Sequence, residues 1–151
     1  MASLYGVNAT YLQNVPEEKI PAGEQSGRVR VAYDSYTTTG AIGTDVIHLM
    51  NIPKGARILD IRVKHGAHAN SGTFDIGWLA SSDGVEAIDA DGFFNELAVN
   101  AVGSNGMEIS TVNPLGINKK FSAECQVTVQ KGATDTSGAA EIALAIFYVI
   151  E

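Results

Sequence analysis

The chain has 151 residues, 45% hydrophobic and 18% charged, with 16 glycines, which is the composition of one globular domain that buries roughly 70% of its unfolded surface and needs no disulfide or metal to hold a core. Ten Lys and Arg against seventeen Asp and Glu leave a net charge of −7, which argues against nucleic acid as a partner because phosphates require clustered cations. The single cysteine, Cys125, excludes an internal disulfide framework and a cysteine-rich zinc site.

The first residues carry no basic segment of the kind that opens a secretory signal. No apolar run approaches the roughly 20 residues of a bilayer span. The expected setting is therefore the cytoplasm or a particle assembled inside a cell, with no membrane partner. Residues 1–27 show neither a period of 2 nor one of 3.6, and Pro16 and Pro21 bias the residues before them toward extended backbone. The segment reads as an extended arm. Its apolar side chains Leu4, Tyr5, Tyr11, Leu12, Val15 and Ile20 are too many for a purely solvated tail and are the candidate contacts with a partner surface.

From Arg28 onward apolar and polar residues alternate, and residues 28–151 read as a β-sandwich domain. Arg28–Tyr33 predicts a strand with Val29, Val31 and Tyr33 inward and with Arg28 and Arg30 outward, where the two arginines are candidate contacts on a sheet face. Further strands are predicted at Asp45–Ile52, Arg57–His65 and Thr73–Ala80, with a weaker one at Met107–Val112. Asp89–Ala98 breaks the alternation. Phe93, Phe94 and Leu97 follow an aspartate able to cap, at helical spacing, which predicts one short helix in a long loop covering an open end of the sandwich. Phe121–Gln130 is the clearest strand, apolar at every odd position and polar at every even one, and Glu141–Ile150 is apolar on both faces, as a central strand would be. Gly-, Asn- and Pro-containing turns fall at Thr39–Gly43, Pro53–Gly55, Asn70–Gly72, Ser104–Gly106 and Lys131–Gly132. Six or seven short strands at this spacing imply an antiparallel sandwich or barrel.

Catalytic and metal-binding patterns are weak. His65 and His68 stand three apart at a strand end with no third ligand in view, and Asp89-x-Asp91-Gly92 lacks the later ligands of a calcium loop. Cys125 lies on the inward face of its strand, so it reads as a core residue and not a nucleophile. Trp78 shares a face with Phe74 and Ile76, which favours packing over a sugar-stacking platform. No nucleophile elbow or phosphate-cradling glycine loop occurs. The expectation is no enzyme, no cofactor and no metal. Charge is segregated: Ala69–Asn118 holds Asp75, Asp83, Glu86, Asp89, Asp91, Glu96 and Glu108 and no Lys or Arg, whereas Lys54, Arg57, Arg62 and Lys64 cluster just upstream.

Three stretches, Ala22–Asp34 with the arm before it, Ile52–Asp60 and Thr73–Gly77, together with the insert at Asp89–Ala98 and the apolar last strand, resemble small tailed-bacteriophage virion proteins of the capsid decoration or cement type. The resemblance implies a jelly-roll-like sandwich that oligomerises, often as a trimer, and binds the outside of an assembled shell. Its implied partners are the major capsid protein and further copies of itself, and its implied location is the virion surface after synthesis in the host cytoplasm. The alternatives are another virion component, such as a head-completion, tail or fibre protein, and a carbohydrate-binding sandwich module.

Overall fold

The computed structural model describes residues 28–40, 45–68, 72–106, 116, 118–132 and 138–151. These residues form eight strands: β1 (Arg30–Thr37), β2 (Val46–Ile52), β3 (Ala56–His65), β4 (Thr73–Trp78), β5 (Asp89–Ala98), β6 (Gly103–Gly106), β7 (Cys125–Lys131) and β8 (Glu141–Ile150). They build two four-stranded sheets, the first in the order β1-β8-β3-β6 and the second in the order β2-β7-β4-β5, with every named pairing antiparallel.

Alternation puts one side of each sheet into a shared core. From the first sheet come Ile58, Ile61 and Val63 of β3 and Ile142, Leu144 and Ile146 of β8. From the second come Phe74, Ile76 and Trp78 of β4 and Val127 and Val129 of β7. β8 lies between β1 and β3, as its two apolar faces predict. The Pro53–Gly55 turn between β2 and β3 holds Gly55 at φ 82°, the left-handed region that glycine enters without a Cβ penalty.

Three expectations fail. Asp89–Ala98 is strand β5, and no helix occurs among the described residues. The helical spacing comes from irregular pairing. Between the Phe74–Leu97 and Ile76–Phe94 pairs β5 carries one residue more than β4, and between Ile76–Phe94 and Trp78–Asp89 it carries three more. Each extra residue shifts the side-chain phase, so Phe93 and Leu97 both reach the core from a bulged strand.

The inward face of β1 is also reversed. Its partners across β8 pair Val31 with Phe147 and Tyr33 with Ala145, on the outer side, while Ala32 and Asp34 pair with the buried Ile146 and Leu144. Period 2 says which residues share a face but not which face is inside, and at a sheet edge little burial is at stake. Finally, Ser104–Gly106 is not a turn but part of β6, which pairs with the end of β3. The predicted strand at Met107–Val112 and the arm, residues 1–27, lie outside the described residues.

Candidate assembly surfaces

The two outer faces differ in chemistry. On the second sheet, outward positions are polar and bonded to one another: His48 Nδ1 lies 2.9 Å from Gln126 Oε1, and Asn51 Nδ2 donates to Glu124 Oε1 at 3.1 Å. This face is dressed for water. On the first sheet, the register aligns Tyr33, Ala145 and Arg62 in one row and Val31, Phe147 and Asp60 in the next, with Ala143 beside Lys64. Val29, Val31 and Tyr33 are 53%, 54% and 66% exposed, so this edge carries an exposed apolar strip, whereas Ala143 and Val149 on the same side of β8 are buried. Arg62 borders it and bonds Asp60 through Nε at 2.7 Å. Strips of this kind mark contact surfaces.

A second exposed apolar site sits in the β4–β5 loop, residues 79–88, where Val85 and Ile88 are each 59% exposed. The loop is firmly built. Ser81 and Gly84 close a turn through Gly84 N–H to Ser81 O at 3.0 Å, Ser81 Oγ accepts from Glu86 N–H at 2.9 Å, and Ser81 N–H donates to Glu86 O at 3.0 Å. Asp83 accepts from Ser81 Oγ at 2.6 Å and from Val85 N–H at 3.1 Å, and these bonds hold its carboxyl below the usual range and therefore ionised.

Glu86 ties the loop to the body. Its carboxylate accepts from Lys119 Nζ at 2.9 Å and from Ser122 N–H at 2.6 Å. Burial alone would raise its pKa, but these donors win and lower it. Lys119 in turn stands over the rings of Trp78 and Phe121, 5.1 and 5.0 Å from their centroids. Next along the chain, burial and the neighbouring Asp91 raise the Asp89 carboxyl.

Arg28 and Arg30 are exposed, as expected, but Arg30 pairs with Tyr148 and so shares the side of Ala32, opposite Val31 and Tyr33. Leu4, Tyr5, Tyr11, Leu12, Val15 and Ile20 lie outside the described residues. His65 and His68 are both buried at the end of β3; His65 Nε2 lies 3.1 Å from Asn105 Oδ1, and no group of three or more metal-ligating side chains gathers among the described residues. Trp78 is 3% exposed and donates Nε1–H to Ala87 O at 3.1 Å, so it cannot stack on a sugar from solvent. Cys125 is buried, and burial followed by the charge of Glu86 pushes its thiol up, away from nucleophile chemistry. Sequence reasoning missed Val85, Ile88 and the outward Val31 and Tyr33. The first two did carry a signal: large aliphatic residues inside a Ser-, Asp- and Gly-rich loop have no core to serve.

No protein family model matches the sequence, and no curated protein matches it. Solved structures do. A chain of the Cyanophage Pam1 capsid asymmetric unit superposes with a TM-score of 0.65 at 21% identity, covering 88% of this chain and 92% of that one. A chain of the capsid of Ralstonia phage GP4 gives 0.59 at 18%, covering 93% and 95%. One from the Helicobacter pylori bacteriophage KHP30 capsid gives 0.51 at 13%, covering 82% and 94%. At these identities the likeness is one of fold. The two-sheet sandwich is of a kind that occurs, nearly end to end, in chains of phage capsid structures.

Proposed function

We propose that the chain is a non-enzymatic structural protein of a phage particle that binds and stabilises the assembled capsid as a decoration or cement protein. The observation that carries the reading is the near-complete mutual coverage with capsid chains: those chains are close in length to this one, so the likeness takes in a whole small sandwich and not one part of a larger shell subunit. The strand orders β1-β8-β3-β6 and β2-β7-β4-β5 are those of a jelly roll with two Greek keys. Its partners are then the major capsid protein and further copies of itself, as a homotrimer on the virion surface.

In this role residues 28–151 are the rigid body and residues 1–27 the arm that reaches a neighbour. Ordering an arm costs roughly 1–2 kcal/mol per residue of backbone. Burial of Leu4, Tyr5, Tyr11, Leu12, Val15 and Ile20 offsets that at about 25 cal/mol per Å² of apolar surface. Arg28 and Arg30, at the root of the arm, add charged contacts. Deleting residues 1–22 should leave the circular dichroism spectrum and melting temperature of the body unchanged and weaken binding to shells that lack the protein, read by co-sedimentation. Wild-type affinity in the truncated chain would overturn the arm, and a full chain that never co-sediments with shells would overturn the role.

A further inference from the structure

The first sheet's outer face and the β4–β5 loop make a matched pair. One has an apolar centre of Val31, Tyr33 and Phe147, bordered by the Arg62–Asp60 ion pair and, one row on, by Lys64. The other has an apolar tip of Val85 and Ile88 in a loop that carries Asp83 and Glu86, with Asp89 and Asp91 opening β5, and Lys119 pairs with only one of these four acids, Glu86. We propose that copies of this chain join head to tail, the outer face at β1 and β8 of one copy receiving the β4–β5 loop and β5 edge of the next. The inference deepens the proposed role and takes from it only that the chain works as an assembly.

Topology supports the pairing. β1 is an edge of the first sheet and β5 an edge of the second, and β1 packs over β2, at the far side of the second sheet from β5. The two surfaces are therefore at opposite flanks of one molecule and meet between molecules. A contact of two different surfaces generates a ring when its rotation closes, which suits a trimer. The loop is already ordered by the bonds of Ser81, Asp83 and Glu86, so docking forfeits little conformational freedom.

The test uses the full chain and two surface variants, Tyr33→Glu on the receiving face and Val85→Glu with Ile88→Glu on the loop. All three positions are exposed, and melting curves check that each variant folds. By light scattering, the wild type should be an oligomer, each variant alone should have the mass of one chain, and an equimolar mixture should double that mass, because it contains one intact junction. Three results would overturn the proposal: a loop variant that assembles like the wild type, a mixture that stays monomeric, or a monomeric wild type whose face is then covered by its own residues 1–27 or by another protein. Shell binding by such a monomer would leave the decoration role standing while this junction fell. An oligomer that passes the mixing test but never binds shells would do the reverse.

Discussion

The His68 imidazole packs edge-on against Phe74 with ring centroids 4.9 Å apart, and neither of its nitrogens has a hydrogen-bond partner. Its backbone N–H is held by Val99 O at 2.8 Å, and the one titratable group acting on it is His65. Burial first, and His65 second, lower its pKa below 6.5. The sign follows directly: the unfolded chain takes up a proton that the folded one refuses, so this contribution to stability is complete above about pH 6.5 and is lost as pH falls toward the folded value. The melting temperature should therefore drop between about pH 8 and about pH 5, and His68→Phe, which keeps the ring packing and removes the titration, should flatten that drop. An unchanged pH profile in the variant would show that other groups carry the acid response. Cys125 and Trp78 were legible at this scale because alternation placed both on a core face. His68 was not, since its burial depends on the neighbours that β4 and residue Val99 bring to it.

β5 teaches the opposite lesson from β8. A regular strand announces itself by period, and Glu141–Ile150 was recovered with its bounds and its central place. In β5 the bulges break the period, and with Phe93, Phe94 and Leu97 they leave a spacing that a helix would also produce. The fold depends on that irregularity at Gly92, which lies under the Trp78 ring: a Cβ added there would collide with the ring and with the Asp89 carboxyl carbon. Trp78 cannot yield easily, because Phe93 and Phe121 flank it at 5.0 and 5.2 Å. Gly92→Ala should cost about 1–3 kcal/mol by overpacking, measured by urea denaturation. The same substitution at Gly84, which meets nothing within 4 Å, is a poorer control than it looks, because Gly84 sits at φ 72° and is strained by any side chain. Gly40, where an added Cβ would meet nothing within 4 Å and φ is not positive, is the fair comparison, and equal losses at Gly92 and Gly40 would sink the packing argument. β1 failed for a different reason: its alternation is clean, but the buried side of an edge strand is decided by β8, far away in sequence.

Across the whole molecule, the segregation of charge along the sequence carries over into space in part, since Lys119, distant in sequence, returns to pair with Glu86 in the acidic loop. Asp75, Asp83, Asp89, Asp91 and Glu96 lie on β4, β5 and the loop between them, at one flank of the second sheet, while Arg62 and Lys64 lie on β3 in the first. The polarity was legible from composition. Its pairing with exposed apolar side chains was not, because exposure depends on which strands end up at the edges. Antiparallel pairing of β1 with β8 sets Arg30 opposite Tyr148, so the root of the arm and Glu151 share one corner, where Glu151 bonds the Arg57 guanidinium through both carboxylate oxygens at 2.7 and 2.9 Å. That adjacency makes the body a natural subject for circular permutation. A short linker from Glu151 to Arg28, with the chain reopened at Ala101, an exposed position between β5 and β6, should keep all eight strands and the melting transition while moving the arm to the opposite edge of the sandwich. Whether such a permutant still grips a shell would tell, independently of the arm's composition, if the corner from which it departs is part of its address.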